Sequence, residues 1–154
     1  MNEGLIRLVE HLIWADGAVI DSLRSQTQLP PRVQEILAHV VAAERVWLAR
    51  INNEREDVPP VWPDLSLAEC RSLGARNASA LRELVRTRKE GDFQETIAYT
   101  NTRGQKFENT LEDIILHVCV HGSYHRGQIA TLMRAGGGVP INTDYITYRR
   151  SQGG

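Results

Sequence analysis

Leu5, Leu8, Leu12, Ala15, Val19 and Leu23 recur at steps of three and four residues, which places them along one side of an α-helix. Pro30-Pro31 stops this helix and starts the next, because proline is tolerated in a first helical turn and not in a helix interior. From Val33 to about Ile51 the helical spacing returns, with Ile36, Val40, Ala43, Trp47 and Ile51 on one flank. The run Val58-Pro59-Pro60-Val61-Trp62-Pro63 is a loop. Ser66 and Glu69 then fit a capping box, which predicts a third helix from about Leu67 to Lys89, ending near Gly91. Alternation and β-branched residues over Gln94–Asn101, then Gly104 and Gln105–Phe107, suggest a short hairpin. Thr110 and Asp113 are placed to cap a fourth helix that continues to about Arg134 and stops at Gly136-Gly137-Gly138. The residues after Gly138 read as an ordered or partly ordered tail. The expectation is an all-α four-helix bundle over residues 1–154, one domain, with a short β-hairpin before the last helix.

Composition narrows the partners. Eighteen Lys+Arg against nineteen Asp+Glu leave a formal charge of -1, so no broad basic field for nucleic acid is expected. No apolar run approaches the roughly 20 residues a membrane-spanning helix needs. Glu3, Arg7, Glu10 and His11 interrupt the N-terminal apolar stretch, which therefore does not fit a signal peptide. Cys70 and Cys119 form no C-x-x-C pair and read as small buried hydrophobes of a cytoplasmic protein.

The histidines carry the chemical information. His117, His121 and His125 follow one another at four-residue steps on the fourth helix, and residues i and i+4 share a helical face. Either adjacent pair can hold a metal ion; the outer two are roughly 12 Å apart along the helix axis and cannot share one. Val118 stands where a zincin motif requires glutamate, which argues against that class of protease. His39 lies between Ile36 and Ala43 on the apolar flank of the second helix. There it needs either a hydrogen-bond partner or a metal shared with the fourth helix. A third imidazole would give the three-histidine set typical of sites that keep a position open for water or substrate. His11, beside Leu8 and Leu12, reads as a partly exposed histidine near the mouth of such a pocket.

The run His121-Gly122-Ser123-Tyr124-His125-Arg126-Gly127-Gln128 resembles the H-x-x-x-H-R-G-Q signature of the DinB/YfiT-like family of metal-dependent enzymes. Trp14-Ala15-Asp16, Ile36-Leu37-Ala38-His39, Glu44-Arg45-Val46-Trp47-Leu48-Ala49-Arg50 and Asp144-Tyr145 agree with it, so the likeness spans nearly the whole chain. The resemblance implies a bundle with crossed connections, often a homodimer, and a divalent metal on His39, His121 and His125. It leaves His117 one turn away in a supporting role. Arg126, Gly127 and Gln128 are then architectural: Gly127 would admit a neighbouring helix, while Arg126 and Gln128 would hold loops or adjacent side chains. Glu44 and Asp16 are candidate acceptors for the far imidazole nitrogens, solvated surface carboxylates being their default state.

Characterised branches of the family are S-transferases of small thiols such as bacillithiol and mycothiol, and a mycothiol-dependent isomerase. The implied function is a metal-dependent transfer of a small thiol to an electrophile in stress response or detoxification. Zinc or nickel is the expected metal, with iron or copper as alternatives. The first and third helices and the loops are expected to wall the substrate pocket. Activation of water for hydrolysis is the alternative chemistry, and a non-catalytic metal or small-molecule binding protein is the alternative class.

Overall fold

The computed structural model of the chain describes residues 2–153. Its long helices are α1 (Glu3–Arg24), α2 (Pro31–Ile51), α3 (Leu67–Thr87) and α4 (Leu111–Ala135). Between α3 and α4 lie a 3-10 turn (Glu90–Gln94) and an antiparallel hairpin of β1 (Thr96–Thr100) and β2 (Lys106–Thr110); α5 (Tyr145–Ser151) follows α4. No helix among the described residues is long and apolar enough to cross a membrane.

Local chemistry accounts for the boundaries. Pro31 opens α2, where its missing N–H would have had no helical partner. Ser66 Oγ accepts from the Glu69 amide at 3.2 Å and Glu69 Oε2 accepts from the Ser66 amide at 2.8 Å, the reciprocal cap read from the sequence. Helix α3 ends at Thr87, short of Lys89, because Arg88 and Lys89 are already extended. Thr110 has two roles: it pairs with Thr96 as the last residue of β2, and its hydroxyl accepts from the Asp113 amide to cap α4. The hairpin turn uses Gly104 at φ +77° and the chain leaves α4 through Gly137 at φ +81°, both in the left-handed region that favours glycine.

In the bundle, α1 and α2 each pack against both α3 and α4, so α1 lies diagonally opposite α2, and α3 opposite α4. The first and third connections therefore cross a diagonal, as the crossed connectivity requires. Two apolar clusters fill the interior. One gathers Leu5, Val9, Leu12, Leu48, Leu81, Ile114 and Ile115 with Phe93 of the 3-10 turn; the other gathers Val19, Leu23, Ile36, Leu37, Val41, Cys70, Ile129 and Met133. Along each of the four long helices, one buried polar residue sits where the chain passes from one cluster to the other: Asp16, Glu44, Asn77 and Arg126.

The tail forms α5 and packs on α1. Tyr148 of α5 is buried, with its ring 5.5 Å from Trp14 and 5.7 Å from His11. His11 is not at a pocket mouth: it is 7% exposed and its Nε2–H donates to the Thr143 carbonyl at 2.7 Å. Burial holds its pKa below the ordinary histidine value, so it is a neutral clasp between α1 and the tail. Gly127 also differs from expectation, since a Cβ there would meet nothing within 4 Å. Gly122 is the crowded glycine: a Cβ there would lie 2.8 Å from Arg126 Nη1 and 3.6 Å from Leu12 Cδ1.

Candidate metal centre

Packing of α2 against α4 brings His39 to His121 and His125. One ring nitrogen of each lies within 4.8 Å of the others, and His39 Nε2 is 3.1 Å from His121 Nε2. Two imidazole nitrogens bound to one tetrahedral ion at the usual zinc–nitrogen distance would be about 3.3 Å apart. The cluster could therefore hold a metal ion. His117 is outside it: its ring is 5.7 Å from His121 and 5.1 Å from Trp47. Geometry thus groups His121 with His125, the pair that spacing alone could not choose.

The far nitrogens fix which atoms face inward. His39 Nδ1–H donates to the Val61 carbonyl at 2.6 Å, and His125 Nδ1–H donates to Gln128 Oε1 at 2.7 Å. With Nδ1 protonated in each neutral ring, Nε2 carries a free lone pair, the form a metal binds. Burial lowers the pKa of His39; His121 is pushed down to about 4 by burial and by the neighbouring His125, His39 and His117. His39 and His121 are therefore neutral at pH 7, and with its Nδ1 protonated His39 has no proton to displace from its inward Nε2.

Glu44 and Asp16 do not orient the imidazoles, and they are not surface carboxylates: they are 3% and 6% exposed. Asp16 Oδ1 accepts from Arg126 Nη1 at 2.6 Å, and Glu44 Oε2 accepts from Asn77 Nδ2 at 2.9 Å. Burial and the charge of Asp16 push the Glu44 carboxyl well above the usual carboxylate range, which favours its protonated form. Gln128 and Arg126 do hold adjacent side chains, as the resemblance implied.

Trp62 is the residue that sequence reasoning passed over. Its ring stacks on His39 at 3.9 Å between centroids and 7° between planes, and the Arg32 guanidinium lies 4.9 Å from the Trp62 ring centroid. The proline-rich loop therefore contributes twice, through the Val61 carbonyl and through Trp62. Its only signal in the sequence was a large aromatic residue between Val61 and Pro63. Beyond the imidazoles themselves, Tyr124 and Gln128 of α4 and Val61 and Trp62 of this loop touch the cluster. A hollow of about 490 Å³ runs alongside, lined by Arg32, Ile36, Tyr124, Gln128 and Leu132.

Known proteins resemble the chain in sequence and in fold. The chain is similar to protein DinB of Bacillus subtilis (strain 168), with 21% identity over 96% of this chain and 95% of that protein. Its fold is similar to the crystal structure of a DinB-like protein from Bacillus cereus ATCC 10987, with a TM-score of 0.70 at 19% identity, covering 92% of this chain and 96% of the other. Residues 21–153 match the DinB family, and the chain belongs to it.

Proposed function

We propose that the chain is a metal-dependent S-transferase, in which His39, His121 and His125 hold a divalent ion and a small thiol attacks an electrophile. The observation that carries this reading is the inward convergence of the three imidazoles, with the Nδ1 atoms of His39 and His125 committed to Val61 and Gln128. A divalent ion bound there supplies one thing, stabilisation of a thiolate at neutral pH. The chain does the rest. Three protein ligands leave room for an outside sulfur. Trp62 covers one face of His39 and keeps water from it. The hollow beside Tyr124 and Gln128 offers the electrophile a berth, with Arg32 available to a departing anion.

In the reaction the sulfur lone pair forms the new S–C bond as the C–X bond breaks. X leaves with its electron pair and the thiol proton passes to solvent. The nucleophile must come from outside, because burial pushes Cys70 up to about 11 and Cys119 up to about 12, leaving both as inert thiols. Zinc and nickel suit three imidazoles, as do iron and copper. The family likeness adds a cytoplasmic homodimer acting in stress response or detoxification.

The test measures metal content of tag-free protein, and consumption of monobromobimane with and without a panel of small thiols. Near-stoichiometric metal, lost in His39→Ala, His121→Ala and His125→Ala and kept in His117→Ala, with turnover that needs thiol and metal, is the expected result. Turnover without thiol would assign hydrolysis instead. Bound metal with no turnover would make the chain a binding protein, and no metal even after reloading would overturn the reading.

A further inference from the structure

A groove of about 1070 Å³ opens between the end of α2 and the hairpin. Arg50 lines it from α2, Arg55 from the loop that follows and Lys106 from β2, beside an aromatic wall of Tyr99 and Phe107. None of the three clustered histidines lines it. Arg50 follows His39 on the same helix by eleven residues, roughly 16 Å along the axis. Two carboxylates share the groove. Glu54 is already held by Arg45 and by Asn52 Nδ2, the latter at 3.1 Å, so Glu108 alone among the described lining residues stands against the three cations. The chain carries a formal charge of -1, so this local excess is not a general basicity.

Arg50 is the organised member of the three. Its guanidinium carbon lies 4.4 Å from the Trp47 ring centroid and 5.0 Å from that of Tyr99, two rings standing 74° apart. Such contacts engage the face of a guanidinium and leave its in-plane N–H groups free to donate. No group among the described residues accepts from them, and the Arg50 nitrogens are reachable from solvent, unlike Nε and Nη2 of Arg126. Burial pulls the Arg50 pKa below its ordinary value with no carboxylate to restore it, the mark of a cation partly stripped of water and given no counter-charge. The rings also fix the plane of the fork, so meeting an oxyanion costs it less side-chain freedom. A helix C-terminus ordinarily repels anions through its free carbonyls. Here the Leu48, Ala49 and Arg50 carbonyls accept from the amides of Asn52, Glu54 and Asn53 at 3.0, 2.8 and 3.3 Å, which blunts that field.

We propose that this groove is a second ligand site, which binds a small polyanion, a molecule bearing two or more phosphate or carboxylate groups, with one oxyanion held edge-on by Arg50 and the others by Arg55 and Lys106. The planar fork of Arg50 matches two oxygens of one phosphate or carboxylate at once, which makes it the anchor. Arg55 and Lys106 are exposed and supply charge more than geometry, so they favour a ligand with further anionic groups over a single anion. The site is independent of the metal centre, and its failure would leave the thiol-transfer reading untouched.

The experiment titrates metal-loaded, full-length protein with fructose 1,6-bisphosphate, tricarballylate and, as the uncharged control, fructose, by calorimetry and by NMR of the Arg50 Nε–H. Salt is kept at about 0.15 M, where the Debye length is about 8 Å and diffuse attraction is screened. At least one polyanion should saturate in about the millimolar range or tighter and shift the Arg50 resonance, and fructose should not bind. The bisphosphate binding tighter assigns phosphate, and the tricarboxylate binding tighter assigns carboxylate. Arg50→Gln should weaken binding by about tenfold. Arg50→Lys keeps the charge and loses the fork, and should still weaken it by about threefold. The Arg55→Gln, Lys106→Gln double variant changes exposed side chains, so it should stay folded and lose about tenfold. Arg76→Gln removes the same charge from an exposed position on α3 that does not line the groove, and should leave binding unchanged, as should His121→Ala. No saturable binding of either polyanion, equal binding of fructose, equal losses in Arg50→Gln and Arg76→Gln, or binding lost in His121→Ala would each overturn the proposal.

Discussion

Removing Asp16 tests the polar layer that joins the two halves of the core. Arg126 is 4% exposed, and among the described residues its Nη1 bond to Asp16 is its side-chain hydrogen bond; Nε and Nη2 have no acceptor. Taking away the partner of a buried ion typically costs about 3–5 kcal/mol, because the remaining charge is left in a medium that solvates it poorly. Here Glu44 should soften the loss. Burial and then the negative charge of Asp16 disfavour its ionised form, so with Asp16 gone Glu44 ionises more readily and can answer Arg126. Asp16→Ala alone should therefore cost about 2–3 kcal/mol, at or below the lower end of that range. In a Glu44→Gln background, where no carboxylate can form, the same substitution should cost about 4–5 kcal/mol. At roughly 2–4 °C per kcal/mol for a chain of this size, the difference of about 2 kcal/mol amounts to about 4–8 °C in Tm. Urea melts of the four proteins of the cycle at pH 7 give the coupling directly. Equal losses in both backgrounds would refute the compensation, and losses below about 1 kcal/mol in both would refute the claim that Arg126 depends on Asp16.

Other outcomes follow from single residues. Gln128→Leu removes the acceptor that orients His125, and should weaken metal binding by about 10–100-fold in a competition titration while leaving the melt of metal-free protein within about 1 kcal/mol. Gly122→Ala should destabilise despite the better helix propensity of alanine, because its Cβ displaces a guanidinium pinned to Asp16, whereas Gly127→Ala, in open space, should stabilise by up to about 1 kcal/mol; denaturant melts would check the opposite signs. Glu10 is held below its ordinary value of 4.5 chiefly by its hydrogen bond to Arg82, with Arg86 adding to it. A group whose folded pKa is depressed stabilises above the unfolded value and loses that contribution as pH falls through the folded one. Glu10→Gln should therefore cost up to about 1 kcal/mol at pH 7, after allowance for solvent screening, and nothing near pH 2.

What was legible in the sequence was what short-range chemistry determines. The stripe from Leu5 to Leu23, the Pro30-Pro31 break, the Ser66–Glu69 cap and the glycines after α4 each act within a few residues, so their positions can be read without knowing the neighbours. His121 and His125 were legible as a helical pair for the same reason. The choice of that pair over His117 and His121 came from family likeness, because it depends on the height at which α2 meets α4. Long-range partners were not legible. That Thr143 accepts from His11 across the molecule, or that Glu44 lies buried beside Asp16 and not in water, is decided by helix placement. Trp62 was missed because a loop aromatic carries no periodicity, and its role exists only once the loop folds back onto His39.

The motif around His121 contains two devices, one residue apart. His121 and His125 form one i, i+4 stripe facing α2, and Gly122 and Arg126 form the next, facing α1. One residue along a helix turns the side chain by about 100°, so a single helix can aim imidazoles at one neighbour and a guanidinium at another. Gly122 has to be small because the Arg126 guanidinium lies across it on the way to Asp16. The ion pair therefore fixes the height and rotation of α4 against α1, and that fixes the imidazoles of α4 relative to His39. A one-residue shift of α4 would turn a guanidinium toward His39 and leave Asp16 without its partner. The buried charge thus opposes the same displacement that would dismantle the histidine cluster, which gives a physical reason for H-x-x-x-H and R to occur together here.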